Sequence, residues 1–376
     1  MATGLTDFGS LTTLQKRVWS ANVWRQALDQ AFWFVNGFVS KGLGDSSKPI
    51  HLVDELTKTD KGSKCVMPMV LELVNDGIVG DNELEGNEEP LSADDCEIQL
   101  DQLRNGVKSR GRMSEQDTVI RFRGEAKQKL GYWIGDKLDE IMFLSASGMA
   151  YTLKLDNATR STSSQLSSLR FSSDVTAPST NRKMYAGSAT STATLTAADT
   201  MDWNLIVRAK AAAERKHIKP LRMGGKPYYC VVMSTENSRD LKLDEVYQKN
   251  LRGAAERGDG NPLFTGAFAV VDGVMLYAHN KVATTQGLSS GSKWGASGTV
   301  EGAQAMLLGA QAMAFARIGE AQWGESDNQD YGNREGISVG RMIGIKKPVF
   351  KSQYESGTPS EDFGLIQMYT AAVAAG

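Results

Sequence analysis

Apolar residues recur at helical spacing near the start of the chain, at Leu14, Val18, Ala21, Trp24, Leu28 and Phe32, with Lys16, Arg17, Arg25 and Asp29 on the other faces. This spacing predicts an amphipathic helix. Gly37, Gly42, Gly44 and Pro49 then break the pattern, which predicts an extended arm over Val39 to Pro49 that needs a neighbouring surface, of this or another subunit, to pack on. From Lys64 the period changes. β-type runs at Val66 to Val74 and Cys96 to Leu103 flank a polar, glycine-containing middle, predicting a long hairpin. Val119, Phe122, Ala126, Leu130, Trp133, Ile134, Leu138, Ile141 and Met142 follow at three- and four-residue steps. They predict the longest helix of the chain, with Ser114 as its cap and Glu115 and Asp117 near the positive end of its dipole. Gly124, Gly131 and Gly135 lie inside it; each costs about 1 kcal/mol relative to alanine, so packing must restore that stability.

Residues 156–196 hold 18 Ser or Thr and little that could form a core, so they read as a surface excursion or loosely ordered insertion. A second helix is predicted over Met201 to Lys216, capped by Thr200, with Leu205, Ile206, Ala209, Ala212 and Ala213 as its apolar face. A short buried strand, Tyr228 to Met233, comes next. Phe268 to Val271 and Val274 to Ala278 flank Asp272-Gly273, the turn dipeptide of a tight hairpin. Val300 to Ile318 carries alanines nearly all round, with Thr299 as cap, Glu301 in the first turn, Arg317 in the last and Gly319 after it; these signals predict a buried helix. β-type segments at Ile337 to Ile345 and Phe363 to Ala372, joined by a turn-rich stretch from Gln353 to Asp362, complete the pattern.

Charge changes the picture in one region. Overall the chain is nearly balanced, with 42 basic and 44 acidic residues for a net charge of −2. No basic excess is present to neutralise many phosphates, which argues against a nucleic-acid reader. Between Glu72 and Glu97, however, there are ten acidic residues and no basic one, and Arg104, Lys108, Arg110 and Arg112 follow closely. Adjacent acidic and basic blocks leave a chain neutral overall yet complementary between copies. The 376 residues, 41% apolar and 23% charged, suit a folded protein of two or three domains. MATGLTDFGS shows no leader pattern and no window is apolar enough to span a membrane, so a soluble cytoplasmic product is expected.

Candidate chemistry is sparse. Cys65, Cys96 and Cys230 are too scattered for a zinc site or disulfide framework and point to a reduced compartment, although a hairpin would set Cys65 and Cys96 close enough for a bridge. His51, His217 and His279 lack nearby catalytic partners, and the nucleophile-elbow motif is missing. Gly224 to Lys226 fails the phosphate-loop pattern because Pro227 stands at the hydroxyl position, so it reads as a turn. Glu88-Glu89 and Asp94-Asp95 lie among polar, turn-forming residues and read as solvated carboxylates rather than an acid/base or calcium site. Arg257-Gly258-Asp259 and the sequon at Asn157 read as coincidental in a chain without a leader. Neither a metal nor another cofactor is expected.

Five stretches, LRNGVKSRGRMSEQD (103–117), YYCVVMSTENSRDLKLD (228–244), NPLFTGAFAVVDGVMLYAHN (261–280), AMLLGAQAMAFARIG (305–319) and DYGNREGISVGRMIGIKKPVF (330–350), resemble in sequence and order the major capsid proteins of tailed bacteriophages, in particular the family of certain short-tailed phages. That fold is shared with the herpesvirus shell protein and the encapsulins. The resemblance covers most of the chain from residue 65 on, without the 156–196 segment. It implies an α+β tailed-phage major capsid fold: an N-terminal arm (1–64), an extended β-hairpin loop (65–113), a peripheral domain with a long spine helix (114–198 and 341–376) and an axial domain at the capsomer centre (199–340). It implies a self-assembling icosahedral shell of hexamers and pentamers, enclosing double-stranded DNA without reading its sequence. Scaffolding, portal and decoration proteins are the implied partners, and the virion, assembled in the host bacterial cytoplasm, is the implied location. Glu83, Glu85, Glu88, Glu89, Arg104, Lys108, Arg110 and Arg112 become inter-subunit contact candidates, with no enzymatic role. Competing readings are an encapsulin-like compartment, a hydrolase using the acidic stretch, and an adhesive module with Trp294 and Trp323 as platforms.

Overall fold

A computed structural model describes residues 13–40, 47–53, 62–70, 77–86, 88, 93–111, 113, 122–223, 225–253, 269–329, 331, 333–352 and 359–373. Helix α1 (Thr13–Leu28) and the short α2 (Phe32–Val35) precede β1 (Ile50–Val53), β2 (Lys64–Val70), β3 (Ala93–Gln99) and β4 (Asp101–Lys108). The long helix α3 (Phe122–Ser147) follows. Next come β5 (Lys183–Tyr185), α4 (Trp203–Arg215), β6 (Leu221–Met223), β7 (Lys226–Met233), α5 (Thr235–Leu243) and α6 (Glu245–Gly253). The remaining strands are β8 (Ala269–Val271), β9 (Val274–Ala278), β10 (Gly302–Leu308), β11 (Met313–Gln329), β12 (Arg334–Lys346), β13 (Val349–Lys351), β14 (Ser360–Asp362) and β15 (Leu365–Ala371).

Two sheets organise the chain. One has the order β1-β11-β12-β4, and the other β5-β15-β10-β7-β9-β8, with β6 added on β7. β10 and β15 are buried at every one of their seven positions. Such central strands, covered on both faces, show no alternation, and this explains where the sequence reading fails. The helix expected over 300–318 is instead β10, a turn and the beginning of β11. Alanines all round signal burial in either conformation, and here the close neighbours decide. A Cβ on Gly302 would fall 1.9 Å from the Trp294 ring and one on Gly309 2.5 Å from Ile218, while Gln311, at φ 55°, turns the chain back.

The spine helix α3 runs five residues beyond Met142; Ser114 to Val119 lie outside the described residues. Leu130, Ile134, Leu138, Ile141 and Met142 are buried as expected. The glycine deficit is met by packing, because α1 crosses closely: a Cβ on Gly135 would come 2.7 Å from the Ala27 carbonyl oxygen. Arg341 of β12 stacks over Trp24 of α1 at 4.3 Å. Part of the expected free arm is also held by this chain. Val39 bridges Ile50 and β1 runs parallel to β11, with His51, Leu52 and Val53 buried.

The Ser/Thr-rich segment is tied to the body, contrary to its composition. Phe171 is fully buried and meets Tyr151 edge-on at 5.9 Å. Arg182 reaches Glu361 at 3.0 Å while Lys347 reaches Asp362 at 2.9 Å, all four side chains 1% exposed. Helix α4 is capped by Asp202, whose carboxylate accepts from Leu205 N at 2.8 Å, and not by Thr200; the acid two residues closer wins the same job. Asp272 and Gly273, at φ 46° and 75°, make the expected tight turn between β8 and β9. Gly225, at φ 80°, turns β6 into β7.

Candidate functional site

The acidic hairpin has two unlike parts. At its base β2 and β3 pair in register from Lys64↔Gln99 to Val70↔Ala93. Alternation sends Cys65, Met67, Met69, Cys96 and Ile98 inward, where they pack with Ala314, Ala316 and Phe350. The base is pinned further: Lys346 Nζ donates to the Glu97 carbonyl at 2.7 Å, and the Gln99 amide donates to Asp174 at 3.0 Å. Cys65 lies opposite Ile98 and Cys96 opposite Met67. Both thiols are buried and neither is joined in a disulfide, and burial pushes the Cys65 thiol up to about 11.

The tip is the opposite in character. Every described residue from Gly77 to Gly86 is exposed, including Val79 at 78% and Leu84 at 58%. Glu83, Glu85 and Glu88 belong to this exposed part; the Glu88 carboxylate accepts from Gly86 N at 2.8 Å. Glu89 lies outside the described residues. The chain does not continue the hairpin past Leu100, as the sequence pattern suggested, but crosses into the other sheet as β4. There Arg104 and Lys108 are exposed opposite Gly340 and Gly336 of β12, and Arg110 is exposed just beyond. Arg112 lies outside the described residues. One chain thus presents the two charge blocks on separate elements, a projecting tip and a strand at a sheet edge.

Chemistry of an enzymatic kind finds little geometry. Among the described residues no group of three or more His, Cys, Asp or Glu could hold a metal ion, and no helix is long and apolar enough to cross a membrane. His51 is buried in β1, His217 takes φ 55° where α4 ends, and His279 follows β9. His279 stacks on Phe143 at 5.2 Å and contacts Phe32 at 4.5 Å; burial lowers its pKa to about 4, so it is neutral. Asp95 is exposed, and Trp294 is spent inward on Tyr369 at 5.5 Å.

One buried acid escaped sequence reasoning. Asp139, on α3 and 4% exposed, accepts from Phe32 N at 2.9 Å and ties the N-terminal segment to the spine. Burial raises its pKa to about 6 against that hydrogen bond. In the sequence it follows Leu138 directly and so falls off the apolar stripe, and nothing in the pattern marked it as buried.

The phage capsid protein family matches residues 13–374. The major capsid protein of Pseudomonas phage KPP25 is 42% identical over 375 residues, 98% of each chain. Among solved structures, the capsid of Ralstonia phage GP4 superposes with a TM-score of 0.76 at 26% identity, covering 92% of this chain and 93% of that one. The capsid of cyanophage Pam1 gives 0.69 at 19% identity over 99% and 100%, a likeness of fold. A match across nearly the whole chain leaves one conclusion: the chain belongs to the phage capsid protein family and has the fold of tailed-phage capsids.

Proposed function

We propose that this major capsid protein acts by being multiplied, its copies closing as hexamers and pentamers into an icosahedral shell around double-stranded DNA. The chain is a virion component that assembles into a multi-subunit capsid. The observation that carries the finer reading is the hairpin, whose base is fixed in its own chain while every described residue of its tip from Gly77 to Gly86 is exposed, Val79 and Leu84 included. A subunit needs a rigid base to aim such a tip and a neighbour to receive it.

In this reading the loop region is 65–113, of which the tip lies across an adjoining copy while the base and β4 stay in their own chain; 114–198 with 341–376 form the peripheral domain around the spine, and 199–340 the axial domain at the capsomer centre. β15, within 341–376, hydrogen-bonds into the sheet of the axial domain, so the two domains share one framework. The acidic residues Glu83, Glu85, Glu88 and Glu89 face Arg104, Lys108, Arg110 and Arg112 of neighbours; such complementarity sets register and orientation more than affinity. A net charge of −2 suits a container that holds DNA without gripping it. Scaffolding, portal and decoration proteins are its partners, the bacterial cytoplasm is its place of assembly, and it has no catalytic role.

The test is negative-stain microscopy and light scattering of the full chain at high concentration, with a scaffolding partner supplied. Closed particles are expected; monomers alone under all conditions would overturn the reading. Alanine at Asp94, Asp95 and Glu97 together should reduce particle yield or stability, whereas a hydrolase would lose turnover with its oligomeric state intact.

A further inference from the structure

We propose that Gln304 and Gln367 are positioning residues: they clamp the end of the spine helix to the axial sheet and so fix the direction in which the axial domain leaves the spine. This rests on the shell reading and names residues that give the subunit the shape a closed shell requires. The last four carbonyls of a helix have no partner within it. At the end of α3, Met149 N donates to Leu144 O at 2.9 Å and Gly148 N to Ser145 O at 3.2 Å, with Gly148 at φ 68°. This glycine-terminated closure satisfies two of the four. The other two find their donors far along the chain. Ala146 O accepts from Gln367 Nε2 at 2.6 Å and Ser147 O from Gln304 Nε2 at 2.9 Å, across 221 and 157 residues of sequence.

Both glutamines stand on the same face of neighbouring strands. Gln304 of β10 lies opposite Tyr369 of β15, and Gln367 of β15 opposite Met306 of β10, so alternation groups them with Met306, Leu308 and Leu365. Those three pack in one cluster with Ile141, Met142 and Leu144 of the spine, while Leu307, Ile366 and Met368 of the other face pack with α4. Gln304 is 7% exposed and Gln367 fully buried, and a primary amide is unfavourable in such a layer unless it is hydrogen-bonded. Gln367 Oε1 has no hydrogen-bond partner among the described residues, so this side chain carries an unmet acceptor in return for one donated bond. A methionine of similar length would avoid that loss but could not donate to the helix end. Apolar contact is non-directional, whereas hydrogen bonds prefer a narrow geometry. Two donors on adjacent strands, landing on successive carbonyls, therefore restrain rotation as well as separation. The spine is fixed independently nearer its middle, where α1 crosses at Gly135, so the joint at 146–147 decides the angle of the sheet. Errors in that angle repeat at every copy of a closed lattice.

The test uses full-length chains assembled as above. Gln304→Met with Gln367→Met keeps the apolar bulk and removes both donors. A net hydrogen bond is worth about fivefold in an equilibrium and two about twenty-five-fold, so closed particles of the parent diameter should fall by about tenfold or more, replaced by open or odd-sized shells. Leu241 of α5, buried in the cluster on the other face of the sheet, supplies the control. Leu241→Ala should lower the melting temperature of unassembled chains and the yield of particles, yet leave their diameter unchanged. Double-variant particles of parent diameter, at the yield that their melting temperature predicts from the control, would reduce the glutamines to stabilisers and overturn the positioning role. A measurement on the unaltered chain covers the case in which the double variant does not fold. In a cryo-electron microscopy map of its particles, both amide-to-carbonyl contacts should stay within about 2.7–3.2 Å in every copy, in hexamers and pentamers alike. Copies in which the sheet has swung away from Ala146 and Ser147 would refute the clamp while leaving the shell reading intact. Failure of the unaltered chain to form any particle would remove the shell reading and the positioning role with it.

Discussion

Two glycines one turn apart on the spine helix make a matched pair of substitutions with opposite expected signs. Gly131→Ala places its Cβ 3.4 Å from Gln26 Oε1, the mobile end of a side chain, at an ordinary contact distance. The helix then keeps most of the propensity difference between alanine and glycine, a gain of about 0.5–1 kcal/mol. Gly135→Ala brings its Cβ 2.7 Å from the Ala27 backbone oxygen, which cannot rotate away. Helix α1 must shift, and overpacking of that kind costs about 1–3 kcal/mol, more than the propensity gain of about 1 kcal/mol. The two variants should therefore differ by about 2 kcal/mol, with Gly131→Ala above the parent and Gly135→Ala below it. Urea titration of unassembled chains, followed by far-ultraviolet circular dichroism, reads the difference as a change in midpoint at constant slope. Equal shifts of the same sign would refute the claim that α1 packs backbone-to-backbone on the spine. A shift in α1 also pulls on Trp24 and hence on Arg341, at 4.3 Å, so Gly135→Ala should loosen β12 in hydrogen exchange.

Other perturbations test other parts. Arg182→Ala strands Glu361, whose side chain is 1% exposed, and should destabilise the chain by about 3–5 kcal/mol by urea unfolding, with Arg182→Lys recovering only part because the guanidinium also reaches Lys216 O. Asp139 binds its proton more tightly folded than unfolded, since burial raises its pKa to about 6; its stabilisation is complete below the unfolded carboxyl range and fades as pH rises through about 6. Asp139→Asn keeps an acceptor for Phe32 N and should gain about 1–2 kcal/mol over the parent at pH 7. That advantage should disappear near pH 4; a pH-independent difference in unfolding midpoint would show that Asp139 is not the titrating group.

Segments whose neighbours lie close in sequence were legible before the structure. Asp272-Gly273 fixes its turn locally, and the stripe from Phe122 to Met142 needs only its own period to declare a helix. Val300 to Ile318 was misread because its decisive contacts are remote: Trp294, Ile218 and the strands β7 and β15 turn an alanine-rich stretch into two strands. The Ser/Thr-rich segment was undervalued for the same reason, since Arg182 and Asp174 find Glu361 and Gln99 far along the chain. The charge blocks of the candidate surface could be read from composition. That one sits on a projecting tip and the other on a sheet edge could not, because the crossing at Leu100 from one sheet to the other depends on β12.

The place of β15 has a consequence for how a cell makes this protein. It is the last strand in chain order, yet it sits between β5 and β10 and pairs with β10 over seven residues, Gly302↔Ala371 to Leu308↔Leu365. Until that strand arrives, the inner flank of β10 stays open, a sticky seam in a slow, non-local topology. Until then that flank is an unpaired, largely apolar strand edge open to pairing with another chain.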